Sequence, residues 1–412
     1  MAQPKVTHDL DDARAWIGAH WNPELSLAEW RGLLVDSGWG CPAWPREWFG
    51  RGLSQGEATA VGDELARAGA VGVATGVGMS LAAPTILAHG SDDLKRRLLR
   101  PLATGAHKWC QLFSEPGSGS DLASLSTRAE RDGDEWVVNG QKVWNSGAQR
   151  AQWGLLLART DLTVPKHQGI TCFALAMDQP GLEVRPLRQM NGYASFNEVF
   201  LSDARVAGAD MIGEPGAGWT VALTTLAHER SLAASIGAAL RVLSGTGRAA
   251  REAADEAAEY WKTYEWYPQR AGRPELVAAE LGRRAVADDP RLRQHAARVE
   301  LITRTARWNA QRAQAARAAG RPPGPEGSIA KLLSSEIART SARAHSAIAG
   351  ADAMLTGPES AVDGVIAEIL VSVPAQSIAG GTDEIQRNIL GERVLGLPRE
   401  PHPNTPAPLS HK

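Results

Sequence analysis

The stretch STRAERDGDEWVVNGQKVWNSGA, residues 126–148, decides the fold class. It holds two turn-forming pairs, Asp132-Gly133 and Asn139-Gly140, each flanked by strand-forming residues. Such pairs suit a two-residue hairpin turn, because Gly takes a positive φ without a steric penalty. Two hairpins are therefore expected here. The strand pattern continues through WGLLLART (153–160), GITCFALAM (169–177), LEVRPL (182–187) and FNEVFLSDARV (196–206), with a turn at Pro180-Gly181. Short strands with regular turns predict an antiparallel β-barrel or sandwich of about 100 residues.

On either side the pattern is helical. Residues 1–108 read as helices. Ser54 to Gly69 mixes acidic and apolar residues at helical spacing, and Ser91-Asp92-Asp93 looks like an N-cap followed by an acidic first turn. Pro84 and Pro101 are read as punctuation. From Gly218 to about Gly396 Ala, Leu, Arg and Glu dominate, and residues 220–243 are apolar on more than one face, as in a helix buried within a bundle. The aromatic stretch YWKTYEWYPQRAGRPELV (260–277) reads as a loop or short-helix insertion. The fold class is α+β, with an N-terminal helical domain (1–108), a central antiparallel β-barrel or sandwich (109–215), a C-terminal helical bundle (216–397) and a disordered tail (398–412).

Composition excludes several classes. With 412 residues, 43% hydrophobic, 22% charged and a net charge of −2, the chain offers no strong field for nucleic acid or an acidic membrane surface. Its three cysteines form no CxxC, so neither a disulfide framework nor a structural zinc site is expected, and a cytoplasmic location fits. The N-terminus has no apolar core of a secretory signal, and no run is read as spanning a bilayer. No GxGxxG, GxxxxGK[ST], HExxH or GxSxG motif occurs, and no metal is expected.

Two segments carry candidate chemistry. QLFSEPGSGSDLASLSTRA (111–129) surrounds Glu115-Pro116 with small and hydroxylated residues. It can offer N–H groups and hydroxyls to a phosphate or a polar ring edge, or be a flexible surface loop. In NGQKVWNSGA (139–148), Trp144 can lie against an aromatic cofactor with the Ser146 hydroxyl beside it, or pack within the sheet.

Together these segments resemble the acyl-CoA dehydrogenase family, whose pattern is T-E-P-x-A-G-S-D, then N-G-x-K-x-W-I-T-N, then a C-terminal Y-E-G-T-x-x-I-Q-R. The matching residues are Ser114 to Asp121, Asn139 to Gly147 and Ala379 to Arg387, in the same order. The helix–strand–helix layout is also that family's. The resemblance implies bound FAD, with Gln111, Phe113 and Ser114 lining the isoalloxazine, Ser120 reaching the pyrophosphate, Trp144 and Ser146 flanking the ring, and Thr382 and Glu384 contributing from the C-terminal domain. Serine stands for threonine at 114 and 146, keeping the hydroxyl. Family members often carry R-x-x-F-G after the first C-terminal helix; GRRAVADDPRLRQ (282–294) stands there instead.

The family reaction needs a base to remove the α-proton of a thioester. In many members it is the Glu of Y-E-G-T, but here that position is Gly380. Other members, isovaleryl-CoA dehydrogenase among them, carry a Glu before an Arg on the first long helix of the C-terminal domain. His228-Glu229-Arg230 resembles that branch, which makes Glu229 the expected base. A carboxylate beside apolar helix positions is desolvated, which suits a base for a carbon acid. His228 lies about 100° away around the helix, so the two cannot face one substrate. Gly380 keeps a backbone N–H that can polarise the thioester carbonyl.

The expected reaction is dehydrogenation of an acyl-CoA or acyl-carrier thioester, with an electron-transfer flavoprotein as acceptor and a homodimer, homotetramer or heterotetramer as the assembly. A flavin oxidase or monooxygenase on the same fold, and a non-catalytic subunit of a hetero-oligomer, stand as alternatives.

Overall fold

The computed structural model describes residues 3–239, 245–319, 321 and 324–398, so most of the expected tail lies outside the described residues. By contact the chain divides into two compact units, Met1–Glu265 and Trp266–Lys412. The sequence-derived boundary at 215/216 therefore falls inside the first unit.

The first unit opens with α1 (Gln3–His20), α2 (Leu27–Asp36), α3 (Gln55–Arg67), α4 (Ala83–His89) and α5 (Asp92–Thr104). The helix starts follow from side-chain chemistry. Ser26 and Ser54 each form a reciprocal capping box, with Glu29 and Glu57, and Ser91 caps α5. Of the two prolines read as punctuation, Pro84 marks a helix start and Pro101 breaks nothing. Pro84 sits in the first turn of α4, where a missing N–H costs nothing, and Pro101 lies inside α5. Burial of Leu94, Leu98, Leu99 and Leu102 along one face outweighs the lost hydrogen bond.

The strands are β1 (Trp109–Leu112), β2 (Arg128–Asp132), β3 (Glu135–Lys142), β4 (Trp153–Arg159), β5 (Ile170–Ala176), β6 (Leu182–Leu187), β7 (Phe196–Ala207) and β8 (Met211–Ile212). They form one sheet in the order β6-β7-β3-β2-β4-β5-β8, with β1 also on β4. The sheet is mixed, not purely antiparallel. β1 runs parallel to β4, and Arg128 of β2 pairs in parallel with Arg159. Neither of these pairs is joined by a hairpin, so nothing forces the antiparallel sense.

Asp132-Gly133 does make a hairpin between β2 and β3. Asn139-Gly140 does not turn the chain; it lies within β3. There the β3–β7 register shifts, so that Ser202 and Asp203 of β7 stand opposite Asn139. Asp203 takes φ +56°, and its amide and carboxylate bond the Asn139 side chain at 2.9 Å each. Gly140 is needed for closeness: a Cβ there would come within 2.4 Å of Thr127 Oγ1.

Both faces of β4 are buried, which explains its unbroken apolar run. Leu155 and Leu157 join a core with Leu98, Leu102, Trp109 and Val221, while Leu156 and Ala158 face a second core with Phe173, Val199 and Val206. Residues of β3, β5 and β7 meet in that second core, as in a barrel or sandwich.

Two more helices complete this unit, α6 (Gly218–Ala239) and α7 (Arg248–Lys262). Val221 and Ala222 of α6 belong to the first core, and Ala249, Ala250 and Ala253 of α7 pack with Trp30, Leu34 and Leu65. Arg31 and Glu256 add an ion pair at 2.6 Å.

The second unit holds α8 (Tyr267–Arg270), α9 (Leu276–Arg283), α10 (Pro290–Ala318), α11 (Glu326–Ala349), α12 (Val365–Ser372), α13 (Pro374–Ile378) and α14 (Asp383–Arg393). The aromatic insertion is thus the end of α7, a turn, and the short helices α8 and α9. Contrary to the sequence reading, residues 362–393 include a window apolar enough to span a bilayer, with mean hydropathy 1.4. That stretch is divided among α12, α13 and α14; Ile369 and Val373 pack against Ala338 and Ala342 of α11.

Candidate active site

Both motif segments meet at a buried ion pair. Lys142, at the end of β3, is fully buried, and its Nζ lies 2.8 Å from Glu115 Oε1. The same ammonium donates to the Phe113 carbonyl at 3.0 Å. Glu115 also accepts from the Ser126 amide (2.6 Å), the Ser126 hydroxyl (2.7 Å) and the Thr127 amide (2.9 Å). Burial alone would raise the Glu115 pKa, but the Lys142 ammonium and these donors outweigh it and hold the carboxyl down at about 2. Burial pushes Lys142 down to about 8, against the pull of Glu115. At neutral pH both are charged.

This pair fixes the loop that follows. Ser118 is buried and spends its hydroxyl on the Asp121 carbonyl at 2.7 Å. Gly117, Gly119 and Ser120 remain exposed, and a Cβ at either glycine would meet nothing within 4 Å. Ser114 accepts the Val143 amide at 2.9 Å, which ties the first segment to the second.

Trp144 stands out on two counts. Its ring is 56% exposed, and its backbone takes φ +65°. A bulky residue in the left-handed region is uncommon and strained, and such strain clusters at functional sites. The ring meets Phe196 edge-to-face at 5.7 Å. Asn145 holds the strained turn: its Nδ2 donates to Gln111 O at 2.7 Å, its amide to Asn197 O at 3.1 Å, and its carbonyl accepts from Asn197 Nδ2 at 2.9 Å. Its Oδ1 is buried without a hydrogen-bond partner.

Ser146 lines a cavity together with Trp109, Gly76, Met79 and Tyr260. Tyr264 lines the same cavity, and burial raises its pKa while the nearby Ser146 hydroxyl acts the other way. Beside it Arg150 donates to Thr263 Oγ1 at 2.8 Å and pairs with Glu259, so the loop after Trp144 is tied to α7.

Glu229 comes from α6. Its Oε2 accepts from Gln111 Nε2 of β1 at 3.4 Å. The structure thus brings the expected base to a residue of the expected flavin wall. His228 is exposed, and partial burial lowers its pKa.

Gly380, Thr382 and Glu384 belong to the second unit. Gly380 and Gly381 take φ +70° and +82°, which supports a tight turn before α14. The Thr382 hydroxyl is the N-cap of α14, accepting from the Ile385 amide at 3.3 Å. Glu384 is exposed and faces Arg387 at 3.5 Å. Buried Asp383 anchors the turn, at 2.8 Å from Lys331 Nζ and 2.5 Å from Arg339 Nη1. Arg283 and Arg284, in the segment that replaces R-x-x-F-G, both pair with Glu280.

Sequence profiles described as the N-terminal, middle and C-terminal domains of acyl-CoA dehydrogenase match residues 10–106, 110–204 and 276–395. The chain belongs to the acyl-CoA dehydrogenase family. It is 38% identical to the acyl-CoA dehydrogenase IpdE1 of Mycobacterium tuberculosis, over 90% of this chain and 88% of that one. Two solved structures share its fold. The ChsE4–ChsE5 complex from Mycobacterium tuberculosis is 28% identical with a TM-score of 0.62, covering 97% of this chain and 99% of that one. The Tcur3481–Tcur3483 steroid ACAD is 25% identical with a TM-score of 0.64, covering 97% and 99%. As an acyl-CoA dehydrogenase the protein is an oxidoreductase of a flavin-dependent class.

The residues of this acyl-CoA dehydrogenase fit a flavin. An exposed aromatic ring is held in a strained backbone, a buried amide oxygen lacks a partner, and an open glycine–serine loop lies in the other motif segment. Sequence reasoning missed the Glu115–Lys142 pair, Asn145 and Tyr264. The first had a signal: one acidic and one basic residue inside two motifs that otherwise offer small or apolar groups. Tyr264 had none.

Proposed function

We propose that the protein oxidises an acyl-CoA to its trans-2-enoyl thioester, with Glu229 as the base. The observation that carries this reading is the contact of Glu229 with Gln111, which sets a carboxylate from α6 against the strand that leads into the flavin loop. Glu229 takes the α-proton and becomes a carboxylic acid. The β-hydrogen leaves with its electron pair, and the α,β double bond forms from the electrons freed at the α-carbon. Bound FAD supplies the hydride acceptor. Phe113, Ser114, Ser120, Trp144 and Ser146, all of the first unit, would hold the cofactor.

A steroid-derived acyl group is the substrate class supported by the likeness to the Tcur3481–Tcur3483 steroid ACAD. The neighbouring complexes support a hetero-oligomeric assembly, and family resemblance supports an electron-transfer flavoprotein as acceptor. Three free, buried cysteines fit a reducing cytoplasm.

The test is an anaerobic titration of the purified protein with a panel of acyl-CoAs, following the yellow flavin band. Bleaching by one acyl class, lost in Glu229→Gln, supports both the reaction and the base. Bound flavin that no thioester bleaches refutes the dehydrogenase reading. A colourless protein that gains flavin only with a second chain points to the hetero-oligomer.

A further inference from the structure

We infer that Gln111 is a positioning residue for the base: its carboxamide orients the Glu229 carboxylate toward the reacting carbon, in place of lining the flavin with its side chain. This inference rests on the reading of Glu229 as the base.

The argument begins with β1. Cys110 and Leu112 are fully buried on one face of the strand, so alternation sends Gln111 to the other. The backbone that carries it cannot drift. Gln111 pairs with Leu155 in the β1–β4 ladder, and its carbonyl accepts Asn145 Nδ2 at 2.7 Å. From that anchor Nε2 reaches Glu229 Oε2 at 3.4 Å.

The other side of the contact is equally fixed. One turn before Glu229, buried Thr225 meets Thr85 of α4, hydroxyl to hydroxyl, at 2.9 Å. Its neighbour Thr224 meets His89 Nε2 at 2.8 Å. These contacts set the rotation of α6, and with it the direction in which position 229 points.

Chemistry adds a second argument. Among the elements packed on α6, α4 carries His89, whose pKa burial lowers, and β5 carries Cys172, whose thiol burial pushes up to about 12; α6 itself carries His228, lowered by partial burial, and Arg230 next to Glu229. An amide can donate to a carboxylate and, turned over, accept from a carboxylic acid. It can therefore serve the base before and after proton transfer.

The experiment uses the flavin-loaded enzyme and two readouts. One is the pH dependence of anaerobic flavin reduction by an acyl-CoA substrate. The other needs no turnover: the carbon-13 shift of the Glu229 carboxyl against pH, assigned by its loss in Glu229→Gln. In Gln111→Leu the acidic limb of the rate profile and the carboxyl titration should both move up by about one pH unit, since a hydrogen bond to the charged form is gone. At a fixed pH on the acidic limb kcat should fall about tenfold, the same shift read on the rate. KM and flavin content should stay unchanged. Gln111→Asn, which keeps the amide on a shorter arm, should fall between. A carboxyl titration unmoved in Gln111→Leu overturns the inference, and so does flavin loss with an unmoved limb. A Glu229→Gln enzyme that still reduces its flavin sinks the base reading instead, whatever the carboxyl titration shows.

Discussion

Glu115 and Lys142 form a salt bridge closed to solvent, Oε1 to Nζ 2.8 Å, with one partner from each motif segment. Buried pairs of this kind add little net stability over an apolar pair of the same shape, yet breaking one leaves an uncompensated charge. Glu115→Gln and Lys142→Met should each cost about 3–5 kcal/mol in urea unfolding, and the double variant should cost less than their sum. Additive losses would show that the two side chains are not coupled.

Acid should act through the same groups. The Glu115 pKa is held at about 2, and Asp383 is held well below the usual carboxylate range, since Arg339 and Lys331 outweigh its burial. A lowered carboxylate pKa gives stability that is full above the unfolded-state value of roughly 4 and is lost as pH falls toward the folded-state value. Unfolding free energy should therefore decline below about pH 4, and Glu115→Gln should flatten that decline. An equal slope in variant and parent would remove Glu115 from the cause.

Trp144 should separate stability from binding. Its ring is mostly exposed, so Trp144→Ala should change unfolding free energy by no more than about 0.5 kcal/mol. Flavin retention should weaken about three- to tenfold as an aromatic contact is lost. Equilibrium dialysis of FAD checks the second figure. A variant that unfolds easily but keeps its flavin would make Trp144 a packing residue.

The turn before α14 offers a contrast between strain and charge. A Cβ at Gly380 meets nothing within 4 Å, so Gly380→Ala tests only its φ of +70°, at roughly 1–2 kcal/mol. Asp383→Asn removes the charge facing Lys331 and Arg339 and should cost about 3–5 kcal/mol. Thermal unfolding of the two variants should rank them in that order.

Much of the architecture was legible because local chemistry and tertiary packing agree. Ser54, Ser91 and Asp132-Gly133 start helices or turn a hairpin as their side chains dictate. Pro101 and Asn139-Gly140 mislead for one reason: burial of the leucine face of α5, and the approach of β3 to Thr127, override a local preference that no neighbour in sequence reveals. Glu229 was read as the base from its motif alone. Its contact with Gln111 joins residues 118 positions apart, and no spacing announces that.

The register shift in β7 has a consequence for descent. Before it the inward positions are Asn197, Val199 and Leu201; after it they are Ala204 and Val206. Odd numbers point in, then even ones. Ser202-Asp203 therefore works like a frame-restoring insertion in a coding sequence. Loss of one residue there would turn one half of the strand inside out, Asn197 among it, and would undo the brace behind Trp144 without touching a single motif residue.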